Sequence, residues 1–235
     1  MKQTELIYNT PSQPRQVRLD TLAACNASCL SCHRFLTDRK GEMPLELIDK
    51  ILDDAATLPK PLTEIVPIGY GEFFLRKDWF VILQMIASKL PSTLIAIPTN
   101  GSMLDDASVQ VIAKFPNVKY MNFSVNAYYE ETYEAFMKLP FSNIAKIRKA
   151  VAQLRVLRPD ITLNVSMVFD PMYQSDLERD EFIGYWQQWA TVWILPAASC
   201  GRDKNVLISR ISPCRSIFSD FVIGYDGKLS SCCWD

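Results

Sequence analysis

The sequence has no excess of charge of either sign and no block of basic residues. Its 25 Lys and Arg residues nearly balance 26 Asp and Glu residues, which gives a formal net charge of −1. Proteins that bind nucleic acid or an anionic membrane surface commonly carry a concentrated basic patch. The composition therefore predicts neither nucleic acid nor a membrane as a partner.

The sequence also lacks a long apolar run. Its apolar stretches have the length of a β-strand, far short of the roughly 20 residues that span a membrane. The amino-terminal segment, MKQTELIYNTPSQPRQ, is polar and has no apolar core of the kind that a secretory signal contains. These absences predict a cytoplasmic protein, and a reducing cytoplasm disfavours disulfides as the role of its seven cysteines.

Short apolar or β-branched runs alternate with longer amphipathic segments along most of the chain. The predicted strands are Val17–Leu22, Glu64–Ile68, Leu94–Ile97, Tyr120–Val125, Ile161–Phe169 and Val192–Leu195. The predicted helices, with apolar residues at helical spacing, are Leu45–Leu58, Trp79–Leu90, Asp105–Phe115, Ile144–Leu157 and Leu177–Trp189. This alternation indicates parallel βα units with right-handed crossovers. Six units predict an α/β fold with an open, partial (βα)6 barrel rather than a closed eight-unit barrel.

The pattern changes after Pro196. Residues 221–230 form two short apolar runs around a Tyr225-Asp226-Gly227-Lys228 turn, which predicts a β-hairpin. The chain is thus divided into an amino-terminal segment (1–16), a barrel (17–196), and a linker with the hairpin (197–235).

Three cysteines, Cys25, Cys29 and Cys32, lie within eight residues just after the first predicted strand. Loops at the carboxyl ends of parallel strands are where α/β proteins gather their chemistry. Buried structural thiols are one interpretation, and a zinc site is another. A zinc site needs a fourth ligand, and the single histidine, His33, directly follows Cys32, which would strain a shared tetrahedral geometry. Three thiolates can instead hold three irons of a cubane and leave the fourth iron open.

The C-x3-C-x2-C spacing in this loop resembles the radical S-adenosylmethionine (SAM) superfamily. The resemblance implies a [4Fe-4S] cluster on Cys25, Cys29 and Cys32 whose open iron binds SAM. It further implies reductive cleavage of SAM, so that a 5′-deoxyadenosyl radical abstracts a hydrogen atom from the substrate. Ser31 departs from the pattern, because relatives often carry an aromatic residue before the third cysteine.

A stretch after the second strand is similar to the Gly-Gly-Glu-Pro motif of the family. In PIGYGEFFL, residues 67–75, Gly71 and Glu72 match, whereas Tyr70 and Phe73 replace the first glycine and the proline. The resemblance implies that Gly71 and Glu72 meet the methionyl amine of SAM. A glycine permits close backbone approach, and a carboxylate pairs with an ammonium group. In isolation, Gly-Glu after a strand would also fit a plain turn.

Four further residues are candidates near SAM. The resemblance places three of them, Asn100, Ser124 and Lys138, whereas strand alternation puts Asn164 on a face that either lines the barrel or packs on it. Asn100, in AIPTNG, matches a Thr-Asn-Gly found at the third strand end, although Asn-Gly is also a common turn. Ser124, in YMNFSVNA, corresponds to a serine that touches the SAM ribose. Asn164 shares one face of the fifth strand with Ser166, by the period of two. Lys138 is the nearest candidate for an arginine that pairs with the SAM carboxylate.

The carboxy-terminal stretch CRSIFSDFVIGYDGKLSSCCWD fits the opening C-x(9–15)-G-x4-C of the SPASM and twitch extensions. This resemblance implies an auxiliary [4Fe-4S] cluster, with Cys214, Cys232, Cys233 and also Cys200 as candidate ligands. A cluster there is expected beyond the last strand, closing the open side of the barrel near the substrate. Relatives supply further ligands after the hairpin, so we expect either an incomplete extension or a site built from these cysteines. A pair of structural cysteines flanking a hairpin is the alternative.

The resemblance implies a peptide or small-molecule substrate and a reductant such as a flavodoxin or ferredoxin. The competing hypothesis from another class is a non-catalytic zinc-binding or scaffold module with structural cysteines. That hypothesis leaves Gly71 and Glu72 unexplained.

Overall fold

Helices and strands alternate through the computed structural model, which describes residues 13–32, 34, 40–197 and 216–230. The strands are β1 Gln16–Leu19, β2 Glu64–Val66, β3 Leu94–Thr99, β4 Val118–Ser124, β5 Thr162–Phe169, β6 Thr191–Pro196, β7 Asp220–Ile223 and β8 Leu229–Ser230. The helices are α1 Leu45–Ala56, α2 Trp79–Lys89, α3 Asp106–Ile112, α4 Glu130–Met137, α5 Asn143–Leu157, α6 Asp176–Trp186 and α7 Ser216–Ser219. A short 3-10 turn covers Phe73–Leu75.

The described strands form one sheet in the order β6-β5-β4-β3-β2-β1-β7-β8. All neighbouring strands from β6 to β7 run parallel, and β7 and β8 form an antiparallel pair. The sheet does not close, and the six βα strands with their helices form a partial barrel. The predicted fold class is therefore confirmed, including the carboxy-terminal hairpin.

The hairpin extends the sheet beyond β1. Strand β7 pairs in parallel with β1, with Gln16 opposite Asp220 and Leu19 opposite Ile223, whereas β6 lies at the other end of the sheet. The expected position of the auxiliary cluster stays a prediction, because its candidate ligands lie outside the described residues. Pairing with β7 satisfies the backbone groups on the side of β1 that β2 leaves open.

Two helices were absent from the predicted elements, α4 and the four-residue α7. Helix α4, EETYEAFM, has eight residues and only a few apolar positions, so its periodicity is weak. Its apolar side chains, Tyr133, Phe136 and Met137, are nevertheless buried. Strand β1 is also shorter than predicted, because Leu22 leaves the strand and bridges Glu42 instead.

Alternation along the strands separates an apolar face from a more polar one. The apolar face packs against the buried side chains of the helices and belongs to one cluster with them. Its fully buried strand residues are Leu19, Ile65, Ile97, Phe123 and Val165. The neighbouring positions of the strands face the inside of the barrel. Burial of the apolar face stabilises the fold by roughly 25 cal/mol per Å² removed from water. Among the described residues, no helix combines the length and apolarity that a membrane span requires.

Candidate active site

The loop that carries the three cysteines, here the cysteine loop (residues 20–32), is held by the end of α4. The backbone N–H of Ser28 donates to the Met137 carbonyl at 3.2 Å, and that of Leu30 donates to the Phe136 carbonyl at 2.9 Å. Within the loop, the Cys32 N–H donates to the Cys29 carbonyl at 3.0 Å. The helix that the sequence pattern did not show therefore fixes the conformation of the predicted catalytic loop.

All three cysteines are partly buried thiols rather than disulfide partners. Backbone N–H groups point at two of the sulfurs: Ala27 N lies 3.4 Å from Cys25 Sγ, and Arg34 N lies 3.4 Å from Cys32 Sγ. The Cys29 Sγ lies 3.5 Å from Met137 Sδ. Hydrogen bonds to sulfur are among the features that stabilise thiolates and tune an iron–sulfur cluster.

Burial makes these thiols poor acids in the absence of a metal. Burial, followed by the charges of Cys25 and Cys32, raises the pKa of Cys29 to about 12. Burial also raises the pKa of Cys25, against the hydrogen bond from Ala27. Three adjacent thiolates need positive charge to compensate them, and the irons of a cluster supply it. The donor set therefore fits a [4Fe-4S] cluster.

No group of three His, Cys, Asp or Glu side chains in the described parts of the chain is arranged around a single metal-ion position. A cubane takes one thiolate on each of three irons, so its ligands surround a larger volume than one ion occupies.

Glu72 lies in the segment that follows β2, with its carboxylate inside the protein. Its side chain accepts hydrogen bonds from Thr99 Oγ1 at 2.8 Å, from Asn100 N at 2.7 Å and from Phe74 N at 3.2 Å. Its own N–H donates to the Ala24 carbonyl at 2.9 Å. Burial raises the pKa of Glu72, and the hydrogen bonds from Asn100, Thr99 and Phe74 oppose that rise. Glu72 therefore caps the 3-10 turn Phe73–Leu75 and also joins it to the end of β3.

Gly71 allows two backbone segments to touch. A Cβ at this position would lie 1.8 Å from the Leu22 carbonyl oxygen and 2.6 Å from that of Ala24. Such distances exclude any side chain unless the backbone shifts. The absence of a side chain at Gly71 therefore allows the segment before Glu72 to lie directly against the cysteine loop.

Asn100 connects the end of β3 to the same loop. Its Nδ2 donates to Asn26 Oδ1 at 2.9 Å and lies 3.8 Å from Cys25 Sγ. Its Oδ1 accepts from Ser102 Oγ at 2.6 Å, and Asn26 Nδ2 donates to the same hydroxyl at 2.8 Å. The three side chains form a closed polar network beside the first cysteine.

A cavity of about 490 Å³ lies inside the barrel, and most of the predicted site residues line it. Those residues are Cys25, Cys29, Cys32, Gly71, Glu72, Asn100 and Ser124. Its volume falls within the roughly 300–1,000 Å³ that is usual for ligand pockets.

Two predicted cofactor residues lie elsewhere. Asn164 points to the interior of the barrel, is 1% exposed and bonds with the Tyr120 side chain, but it does not line the cavity. Lys138 is exposed at the end of α4, in a left-handed conformation with φ of 56°. The structure does not bring either residue to the cysteines. Among the described residues after β4, none of those that line the cavity is basic.

Several cavity residues were not identified from the sequence as site residues. They are Arg18 and Asp20 on or just after β1, Asn122 on β4 and Asn126 in the following turn. The sequence does contain a signal for these residues. Polar residues recur at every second position of the two strands, which indicates a polar face directed into the barrel. The predicted auxiliary ligands Cys214, Cys232, Cys233 and Cys200, like His33, lie outside the described residues.

Comparisons with known proteins agree with this geometry. A family model described as the radical SAM superfamily matches residues 21–180. No curated protein sequence matches the chain.

Solved structures with similar folds were found at low sequence identity. BtrN in complex with AdoMet and 2-DOIA is 16% identical, with a TM-score of 0.59 and coverage of 95% of this chain and 75% of BtrN. Streptococcus suis SuiB bound to the precursor peptide SuiA is 14% identical, with a TM-score of 0.69 and coverage of 97% and 62% respectively. Native anSMEcpe with bound AdoMet is 12% identical, with a TM-score of 0.70 and coverage of 94% and 75%. The chain thus spans less than two thirds of SuiB, and at these identities the likeness shows the fold alone.

Proposed function

The chain belongs to the radical SAM superfamily, and from this premise we propose that it is an enzyme abstracting a hydrogen atom from a peptide or small molecule. In the proposal, Cys25, Cys29 and Cys32 hold a [4Fe-4S] cluster and the same cavity binds SAM. When bound, the cluster supplies the electron that cleaves SAM reductively. The observation that carries the proposal is the convergence of the three thiols, Glu72 and Asn100 on one cavity at the carboxyl ends of the strands.

Each of these side chains has a distinct task in the proposal. The thiolates bind iron, and Glu72 binds the ammonium group of SAM with the acceptor capacity that its three internal hydrogen bonds leave. Asn100 and Gly71 keep the Glu72 segment against the cysteine loop, so that the ammonium site and the cluster site have a fixed separation. Ser124 remains the candidate for the ribose.

We further propose that the protein belongs to the SPASM/twitch subgroup, with an auxiliary cluster held by Cys214, Cys232 and Cys233. The hairpin within residues 216–230 supports this proposal, as do the SuiB and anSMEcpe folds among the similar structures. SuiB is bound to a precursor peptide, and BtrN to AdoMet and 2-DOIA, so peptides and small molecules both stay in the proposal as substrate classes. A flavodoxin or ferredoxin of the cytoplasm is the proposed electron donor.

The test is a comparison of iron, sulfide and SAM cleavage in parent and variant proteins. The parent, purified and reconstituted without oxygen, should release 5′-deoxyadenosine when it is incubated with SAM and a strong reductant. The variant with Cys25, Cys29 and Cys32 all changed to Ala should release none and should contain about four fewer irons per chain. The Cys214→Ala/Cys232→Ala variant is the control for SAM cleavage, which it should retain. Zinc without sulfide in the parent, or full cleavage by the triple variant, would reject the proposal.

A further inference from the structure

Arg18 is a charged residue of the cavity to which the proposed cofactors assign no task. It lies on β1, two residues before Asp20, which follows the strand. Its side chain lines the cavity that contains the three cysteines. Of the described residues that line this cavity, Arg18 alone carries a positive charge. Asp20 and Glu72 contribute carboxylates to the same lining.

The guanidinium of Arg18 has few partners in the protein. Its Nη1 donates one long hydrogen bond, 3.3 Å, to the carbonyl oxygen of Ile68. No carboxylate among the residues that the structure describes forms an ion pair with it. The neighbouring Asp20 instead accepts from the Tyr70 N–H at 3.0 Å. A guanidinium carries five N–H donors, so most of those of Arg18 stay available to a ligand.

The surroundings of Arg18 strengthen its attraction for an anion. Register places it between Val66 of β2 and Val222 of β7, so apolar side chains flank it on both neighbouring strands. A half-buried cation without a counter-ion is costly, and its attraction for an anion increases as water is excluded. A guanidinium also matches the two oxygens of a carboxylate or phosphate in a bidentate manner.

The position of Arg18 separates it from the proposed SAM residues. Gly71, Glu72 and Asn100 belong to the segments that follow the strands, whereas Arg18 lies within β1 and therefore deeper in the barrel. The polar side chains of Asn122 and Ser166, joined by a 3.0 Å hydrogen bond, line the same cavity from β4 and β5. A ligand that reaches Arg18 thus meets hydrogen-bonding groups on other strands as well.

We infer that the substrate carries an oxyanion group, a carboxylate or a phosphate, and that Arg18 binds it inside the barrel. This inference rests on the proposed function, since it assigns the substrate class of the same cavity. Arg18 then determines specificity and orients the substrate, because an anchored anionic group fixes which of its hydrogen atoms faces the cysteine side of the cavity.

The experiment measures anion binding separately from SAM binding. Anaerobic calorimetry titrates inorganic phosphate, and in parallel acetate, into the SAM-loaded parent, the Arg18→Gln variant and the Arg18→Lys variant. We expect Arg18→Gln to weaken binding of the preferred anion at least tenfold and Arg18→Lys to weaken it less. The stronger of the two probes identifies the oxyanion. SAM affinity should change by less than tenfold, because the proposed SAM residues Gly71, Glu72 and Asn100 are unchanged.

Arg148→Gln serves as the matched control, because Arg148 is an exposed cation outside this cavity that bonds to Tyr185. It removes the same charge and should leave anion binding unchanged. Equal anion binding by the parent and Arg18→Gln would overturn the inference. So would a tenfold loss of SAM affinity in Arg18→Gln, since Arg18 would then hold the SAM carboxylate.

The same titration on SAM-free, metal-free protein separates this inference from the proposed function. If the parent neither binds SAM nor forms 5′-deoxyadenosine, the proposed function fails. Arg18-dependent anion binding in that protein would still establish the anion subsite, and its absence there and in the loaded protein would reject the subsite.

Discussion

The carboxylate of Glu72 accepts a 2.7 Å hydrogen bond from the backbone N–H of Asn100, across 28 positions of sequence. This bond joins the segment after β2 to the end of β3 at the cavity wall. Thr99 adds a second bond from the same strand. Glu72 therefore joins two segments of the cavity wall and also lines the cavity. Its substitution should affect both the stability of the protein and ligand binding.

Glu72→Gln should lower the affinity for SAM roughly tenfold or more, because charge-assisted hydrogen bonds contribute about 1.5–3 kcal/mol. Equilibrium binding under anaerobic conditions measures this effect. The bound iron should stay at the parental level, since the cysteines are unchanged. The exposed Glu46→Gln serves as the control and should leave SAM affinity unchanged. Parental affinity in Glu72→Gln would show that another group holds the ammonium.

The stability of the metal-free protein should depend on pH through Glu72. Burial raises its native pKa above the ordinary value of 4.5, so between these two values the folded state binds more protons than the unfolded state. The free energy of unfolding contributed by Glu72 should therefore decrease as pH rises through that interval. Urea denaturation of parent and Glu72→Gln at pH 4.5 to 8 measures the difference. Parallel pH profiles would contradict the prediction.

Gly71→Ala should lower the free energy of unfolding by about 2–4 kcal/mol, within the range for severe backbone clashes. The reason is that its Cβ would lie 1.8 Å from the Leu22 carbonyl oxygen. Gly184→Ala is the matched control, since Gly184 lies in α6 with open space around the position of a Cβ. That variant should gain up to about 1 kcal/mol from helix propensity. Similar stability of the two variants would disprove the close contact at Gly71.

Tyr133→Phe should stabilise the metal-free protein by about 1 kcal/mol, because a buried hydroxyl without a partner is costly. The Tyr133 hydroxyl has no hydrogen-bond partner among the described residues. Chemical denaturation measures the change. Tyr129→Phe is the control, since the Tyr129 hydroxyl is exposed and bonds to Glu181. A large loss of stability in Tyr133→Phe would contradict the prediction, because it would mean that the Tyr133 hydroxyl forms a stabilising hydrogen bond.

The Cys214→Ala/Cys232→Ala variant should contain about four fewer irons per chain than the parent while it continues to cleave SAM. Iron and sulfide analysis after anaerobic reconstitution decides the outcome. Equal iron in the two proteins would make these cysteines structural. The SPASM/twitch assignment would then fail, whereas the assignment of the barrel would stand.

The features that could be predicted from the sequence are those encoded by neighbouring residues. The C-x3-C-x2-C spacing, the Gly71-Glu72 pair and the alternation of strands and helices are all local patterns, and the structure brings the first two to one cavity. Helix α4 was missed because eight residues give too little periodicity, and with it the contact between Met137 and Cys29.

The features that could not be predicted depend on register between distant strands. The cavity position of Arg18 requires knowledge of which face of β1 points inward, and that face is set by pairing with β2 and β7. Lys138 was proposed from its distance along the chain after β4, whereas the left-handed turn at that residue directs the chain differently. Local sequence carries no direct record of such long-range geometry.

The parallel pairing of β1 with β7 has a consequence for the order of folding. Gln16 and Asp220 pair although they lie about 200 positions apart, and contacts of such sequence separation form slowly. During synthesis, the strand that leads into the cysteine loop acquires its second neighbour only when nearly the whole described chain has emerged. Because Val222 and Gly224 also line the cavity, this part of the cavity wall forms only after the hairpin docks.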